Sequence, residues 1–149
     1  MKTVYIIEDE EIMRNLLSTF FETTFPDLEI LGMSGDGGEG IEQCLERAPD
    51  LVIVDIQLPE VNGLEILHLL KRKFPHIKIL VFTGKTSPTT IKIAVRGQAD
   101  GFINKISGLE ELEKAIRAVQ KDEQFFSPDI REEVLRIREE PPARPRPPF

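Results

Sequence analysis

"LVIVDIQLPEVNG" (residues 51–63) decides the fold, because it describes a buried strand that ends in a carboxylate. Its first four residues are apolar and three of them are β-branched, which is typical of a strand covered on both faces of a parallel sheet. The strand runs directly into Asp55, and Pro59 and Gly63 then shape the loop that leads to the next helix. The stretch therefore predicts a parallel sheet with an acidic group at the end of one strand.

The same alternation of apolar runs and amphipathic stretches extends along most of the chain. Strands are predicted at residues 3–7, 28–33, 51–54, 77–82 and 101–104. Helices are predicted over about 10–25, 37–48, 64–74, 87–97 and 109–119, with Asp36 as a candidate cap for the second. Five strand-then-helix units favour an α/β layered fold with right-handed crossovers. If the strand order is 2-1-3-4-5, the first and third strands are neighbours, about 5 Å apart.

Composition and charge exclude several classes of protein. The net charge of −7 argues against a nucleic-acid-binding surface on this part of the protein. A single cysteine, Cys44, excludes a disulfide framework and makes the cytoplasm the expected location. No apolar run approaches the roughly 18 residues of a membrane helix, so no membrane partner is expected. With two histidines and one cysteine, a zinc site is not expected either.

Acidic residues follow two of the predicted strands. Glu8 and Asp9 come after the first strand, and Asp55 comes after the third. Since sites in open parallel sheets lie outside the carboxyl ends of the strands, these three carboxylates should meet. Crowded carboxylates raise one another's pKa unless a cation lies among them, and an all-oxygen set favours Mg²⁺. We assign Glu10 and Glu11 instead to a favourable interaction with the helix macrodipole.

Two further polar residues follow strands at the same edge. Thr83 comes after the fourth strand, and Lys105 comes after the fifth. A hydroxyl and an ammonium are the groups that hold an anion, and a phosphoryl group arriving at Asp55 would fit them. The pattern therefore predicts phosphoryl chemistry at this edge.

At this point the residues match a family. The matching pieces are "YIIEDEE", "DLVIVDIQLPEVNGLEIL", "ILVFTGK" and "GFINKISGLEELEKAIRAV". The chain resembles the receiver domain of two-component response regulators across about residues 2–122. The resemblance implies a flavodoxin-like, doubly wound, five-stranded parallel sheet flanked by five helices.

The resemblance also implies roles for the acidic residues. Asp55 would be the phosphoacceptor, modified by a sensor histidine kinase in a Mg²⁺-dependent reaction. Glu8 and Asp9 would be the metal pair, with Asp55 and the backbone carbonyl of Gln57 as further ligands. Such a protein catalyses its own phosphorylation and dephosphorylation and is not a conventional enzyme. A haloacid-dehalogenase type of hydrolase would need a second Asp at the position of Gln57, which cannot transfer the proton.

The remaining implied roles concern switching. Thr83 would be the switch hydroxyl, Lys105 the phosphate-binding lysine and Phe102 the switch aromatic. On phosphorylation, Thr83 is expected to move toward the phosphoryl oxygens and Phe102 to pack inward behind it. The expected output is homodimerisation, through apolar surface on the first and fifth helices or through the face between the fourth and fifth.

Two departures from the family pattern have consequences. Glu8 stands where Asp is commoner, so its metal contact is expected to run through water. Ile106 stands where many receivers have Pro, so the bond from Lys105 is expected to be trans, with a different exit from the fifth strand. Members with a C-terminal LuxR/FixJ-type helix-turn-helix often lack that proline. The tail "FFSPDI" (residues 125–130), followed by a Pro-rich linker, also resembles that subfamily.

The character of the chain changes after residue 122. Residues 1–122 are predicted as the receiver domain and 123–149 as a short helix with a Pro-rich linker to a missing DNA-binding domain. Ser127 would cap a helix over 127–140, and five prolines follow in 141–149. The alternative is a stand-alone receiver that acts as an adaptor or phosphorelay protein.

Overall fold

The computed structural model describes residues 1–141 and places six strands and six α-helices in them. In chain order the elements are β1 (Thr3–Ile7), α1 (Glu11–Thr24), β2 (Glu29–Ser34), α2 (Gly37–Arg47), β3 (Leu51–Val54), α3 (Gly63–Lys73), β4 (Lys78–Thr83), α4 (Pro88–Arg96), β5 (Gly101–Asn104), α5 (Gly108–Gln120), β6 (Phe125–Phe126) and α6 (Arg131–Glu139). The predicted alternation of five strands with five helices is confirmed. Of the predicted Pro-rich linker, residues 142–149 lie outside the described part of the chain.

The strands form one parallel sheet in the order β2-β1-β3-β4-β5-β6. The predicted order of the first five strands is confirmed, and the sheet has a sixth strand that was not predicted. The sixth helix, α6, lies within the helix predicted over 127–140. Because Ile7 lies opposite Val54 in the β1–β3 pair, the residues that follow them leave the sheet side by side. Those residues are Glu8 and Asp55.

Each face of the sheet is covered by its own apolar core. Helices α1 and α5 cover one face, with side chains such as Phe21 and Ile116. Helices α2, α3, α4 and α6 cover the other, with side chains such as Leu67, Ile91 and Val134. All four residues of β3 are buried, which explains why the central strands are continuous apolar runs.

The segment after α5 differs most from the sequence-based prediction. β6 adds a sixth parallel strand to the edge of the sheet, with Phe126 opposite Phe102 of β5. The helix expected from residue 127 begins with a 3₁₀ turn, Pro128–Ile130, and α6 follows it. Ser127 does not cap this helix through its side chain, because its hydroxyl instead accepts a hydrogen bond from the Asn104 N–H at 3.0 Å. α6 lies against α4 and buries Val134.

Local signals explain several helix starts. Asp36 caps α2 as predicted, since its side chain accepts a hydrogen bond from the Gly38 N–H at 2.9 Å. Asn62 caps α3 in the same way, through the Leu64 N–H. After β5 the bond between Lys105 and Ile106 is trans, as predicted, and a 3₁₀ turn leads to α5. None of the helices in residues 1–141 is both long and apolar enough to cross a bilayer.

Candidate functional site

The first side chain of the site comes from the end of β3. The Asp55 N–H continues the sheet by donating to the Ile7 carbonyl at 3.0 Å. Its carboxylate is 2% exposed, and its Oδ1 accepts a hydrogen bond from the Gln57 N–H at 3.0 Å. The sheet thus fixes the backbone while the following turn fixes the side chain. A buried carboxylate held in this way needs a compensating cation.

The acids that follow β1 lie on the neighbouring strand. Glu8 is 1% exposed, and its N–H donates to the Ser34 carbonyl at 2.8 Å, so β2 fixes its backbone. Arg14, on the first turns of α1, donates to the carbonyls of Glu8 at 2.8 Å and of Asp9 at 3.0 Å. This arginine therefore holds the acidic loop against the sheet. Sequence reasoning missed it, although it lies on the helix that follows the acids.

Lys105 joins the two strand ends. Its Nζ lies 2.6 Å from Asp55 Oδ2 and 2.6 Å from Glu8 Oε1. Glu10 also approaches this ammonium, with its Oε1 at 3.2 Å. The predicted convergence of Glu8, Asp55 and Lys105 is therefore observed. The role assigned to Glu10 was incomplete, because its side chain belongs to the site as well as to the start of α1.

Burial and charge shift the pKa of two of these groups. Burial raises the pKa of the Glu8 carboxyl to about 7, although hydrogen bonds from Lys105 and from the Glu10 N–H oppose it. The nearby charge of Asp55 contributes least to this shift, so burial and not crowding is the main cause. For Lys105, burial disfavours the ammonium, but the hydrogen bonds to Asp55 and Glu8 outweigh it and raise the pKa above its ordinary value. The ammonium therefore stays charged at neutral pH.

The acidic cluster has the donor set of a hard cation. Glu8, Asp9, Glu10 and Asp55 each offer a carboxylate oxygen, and these oxygens lie within 4.8 Å of one another. The carboxyl groups outnumber the one ammonium, and oxygen ligands suit Mg²⁺. Asp9 is exposed at the rim and is accessible to a solvated ion. The residues thus fit the predicted metal, while the contact of the Gln57 carbonyl stays a prediction.

Thr83 and Phe102 complete the set of predicted residues. Thr83 is the last residue of β4 and is fully buried, and its Oγ1 accepts a hydrogen bond from the Lys85 N–H at 3.2 Å. Phe102 lies in β5 and is also fully buried, in the core shared with Phe126. In this conformation the Phe102 ring is thus already packed inward, where the predicted switch would place it.

Comparisons with known proteins agree with this geometry. A sequence model of the response regulator receiver domain matches residues 4–117. The response regulator protein VraR of Staphylococcus aureus is 27% identical over 127 residues, which are 85% of this chain and 60% of VraR. The chain thus spans about three fifths of the length of that relative.

Solved structures show the same similarity. A two-component response regulator of the LuxR family from Aurantimonas sp. SI85-9A1 is 28% identical with a TM-score of 0.83, over 93% of this chain and 98% of that one. A DNA-binding response regulator of the LuxR family from Staphylococcus aureus is 28% identical with a TM-score of 0.75, over 80% and 98%. The isolated receiver domain of RcsB from Salmonella enterica serovar Typhimurium, at 23% identity and a TM-score of 0.79, shares the fold over 91% of this chain and 97% of that one.

Proposed function

The chain belongs to the response regulator receiver domain family, and from that membership we propose that it takes up a phosphoryl group on Asp55 in a magnesium-dependent reaction. The observation that carries this proposal is the buried Asp55 carboxylate, with the Lys105 ammonium 2.6 Å from its Oδ2. The proposed donor is the phosphohistidine of a sensor histidine kinase. Glu8, Asp9, Asp55 and the Gln57 carbonyl are the proposed metal ligands.

The transfer can be followed atom by atom. A carboxylate oxygen of Asp55 attacks the phosphorus, and the P–N bond of the donor breaks as its electron pair leaves with the imidazole nitrogen, which is protonated. Lys105 stabilises the negative charge on the transferred oxygens, because its ammonium already lies beside the attacking carboxylate of Asp55. Bound Mg²⁺ would add further charge neutralisation at the same oxygens.

The product changes the charge that the site must balance. The acyl phosphate carries a charge of about −2 where the carboxylate carried −1. Thr83, on the neighbouring strand end, is the proposed donor of a hydrogen bond to the new oxygens, since its oxygen accepts from the Lys85 N–H while its own O–H can donate. Phe102 is the proposed relay from Thr83 to the surface of α4 and α5, as a ring that stays buried in the core that it shares with Phe126.

The proposed output is homodimerisation that controls a DNA-binding domain. The likeness to a DNA-binding response regulator of the LuxR family, at 28% identity, supports this output. Of the two predicted pairing faces, the one on α1 and α5 is better supported. Ile12 is 76% exposed and Leu16 is 48% exposed on α1, whereas α6 already lies against α4.

Intact mass spectrometry tests the phosphoryl transfer. After incubation with acetyl phosphate and Mg²⁺, the wild type should gain the mass of one phosphoryl group, with acetate as the leaving group. Asp55→Asn should gain nothing, and neither should the wild type with excess chelator. Asp27→Asn, which removes an exposed carboxylate elsewhere, should behave as wild type. An unmodified wild type, or a gain of mass in Asp55→Asn, would contradict the proposal.

A further inference from the structure

Residues beyond α5 contact β5, the strand that directly precedes Lys105. β6 pairs with β5 until Phe126, and the Ser127 N–H donates to the Phe102 carbonyl at 3.0 Å. β6 ends at Phe126, so the backbone N–H of Asn104 has no strand carbonyl beside it. It donates instead to the side-chain hydroxyl of Ser127 at 3.0 Å. Asn104 directly precedes Lys105. The C-terminal segment therefore fixes the backbone one residue before the ammonium.

The Asn104 side chain extends this connection in both directions. Its Oδ1 accepts a hydrogen bond from the Ile106 N–H at 3.1 Å, and its Nδ2 donates to Asp129 Oδ2 at 2.9 Å. A backbone N–H can only donate, so the amide oxygen must face Ile106 and the NH₂ group must face Asp129. Asn104, before Lys105, is thus hydrogen-bonded to the segment that follows α5, and Ile106, after Lys105, is connected to that segment through Asn104.

The residues that follow Lys105 in this turn add no packing to its position. Ile106 stands where many receivers have Pro, and its side chain is 88% exposed, so it anchors nothing by packing. Gly108 follows at a φ of 80°, a conformation that favours glycine. Meanwhile three carboxylates compete for the ammonium. The β4–β5 ladder, in which Thr83 lies opposite Asn104, holds one side of this residue, and the hydrogen bonds to Ser127 and Asp129 hold the other.

We propose that Asn104, Ser127 and Asp129 form a clamp that positions Lys105 for phosphoryl transfer. This inference rests on the proposed function and adds to it two residues that lie outside the stretch matched by the family, residues 4–117. Ser127 is fully buried, so its hydroxyl supplies a permanent partner for the Asn104 N–H. Asp129 sets the orientation of the Asn104 amide. Both are positioning residues, because neither touches the reacting atoms.

Asp129→Ala is the informative variant, because Asp129 is exposed and its loss should leave the chain folded. We expect the limiting rate of phosphorylation by acetyl phosphate to fall about threefold to tenfold, which is the change that one hydrogen bond of ordinary strength allows. The half-saturating Mg²⁺ concentration should stay within about twofold of wild type, since Glu8, Asp9 and Asp55 follow β1 and β3, which do not pair with β5 or β6. A general loss of structure would change both quantities.

Three matched variants define the mechanism. Asp129→Asn should restore the rate, because its amide oxygen can accept the same hydrogen bond. Glu132→Ala removes an acid from the same segment, with its side chain 90% exposed, and should behave as wild type. In an Asn104→Ala background, Asp129→Ala should have no further effect, because Asp129 acts through Asn104.

The outcomes separate the clamp from the proposed function. Wild-type rates in Asp129→Ala, a parallel loss of Mg²⁺ affinity, or failure of Asp129→Asn to restore the rate would each overturn the clamp while phosphorylation of Asp55 stands. A wild type that takes up no phosphoryl group would overturn both.

Discussion

Gly63, the last residue of the stretch that decides the fold, provides a demanding test of how the site is built. It is the first residue of α3, and its N–H donates to the Ile56 carbonyl at 3.3 Å. A Cβ at this position would lie 2.8 Å from the Ile56 Cα and nearer still to the Asp55 carbonyl oxygen. Only a residue without Cβ therefore allows α3 to begin against the backbone of Asp55 and Ile56.

The magnitude of the effect follows from these contacts. Ordinary contacts begin at 3.4 Å, so in Gly63→Ala the start of α3 must retreat by more than half an ångström. Both neighbours are backbone atoms at the end of a central strand and cannot rotate away. We expect a loss of about 3 kcal/mol in the free energy of unfolding, at the upper end of the overpacking range. For a chain of this size that corresponds to a melting temperature lower by about 6–12 °C.

Thermal and urea unfolding followed by far-UV circular dichroism would measure this loss, since the chain has no tryptophan. Gly38→Ala is the matched control in the first turn of α2, because the nearest atom to its Cβ would be Asp36 Oδ1 at an ordinary 3.5 Å. Alanine is the better helix former, so this control should melt at or above the wild-type temperature. If Gly63→Ala melts within about 2 °C of wild type, the close approach of α3 to Asp55 is not the constraint we describe.

Two further predictions concern the site and the C-terminal helix. Burial raises the pKa of Glu8 to about 7, and a ligand must lose its proton to bind a metal. The Mg²⁺ affinity measured by calorimetry should therefore rise about tenfold per pH unit below that value and level off above it. If Glu8→Gln shows the same dependence of Mg²⁺ affinity on pH, the group that titrates is not Glu8. In α6, Val134 is 2% exposed, so Val134→Ala should lower the free energy of unfolding in urea by about 1–2 kcal/mol. Leu135 is 59% exposed, so Leu135→Ala should lower it by less than about 0.5 kcal/mol. Equal losses in the two variants would argue against the packing of α6 on the sheet.

The sequence predicts the first five strands well because both faces of the sheet are covered. Buried strands such as residues 51–54 leave a continuous apolar signal. β6 leaves no such signal, since it has two residues, and its pairing partner Gly101 is 24 residues before Phe125. Ser127 followed by proline has the local pattern of a helix cap, yet its hydroxyl binds Asn104. A local pattern cannot show which of two partners a hydroxyl takes.

The candidate site also contains residues that the sequence predicts and residues that it does not. Parallel strands end at one edge, so the positions of Asp55, Glu8 and Lys105 follow from chain order and alternation alone. Glu10 and Arg14 depend on the directions in which α1 presents its side chains, which a strand-end argument does not include. Their contacts with Lys105 and with the Glu8 carbonyl became visible only in the structure.

The charge balance of this edge links the residues that were predicted to those that were not. Carboxylates as buried as Glu8 and Asp55 are costly without compensation, and two compensations are present. Lys105 bridges both carboxylates, and the raised pKa lets Glu8 keep a proton near neutral pH. Loss of that proton is thermodynamically linked to metal binding, and addition of a phosphoryl group to Asp55 increases the negative charge beside Lys105. Under the proposed function, proton release from Glu8 would accompany metal binding, and Lys105 would have to stay in place when Asp55 gains a phosphoryl group, because among the described residues its ammonium is the only cation within ion-pair distance of Asp55.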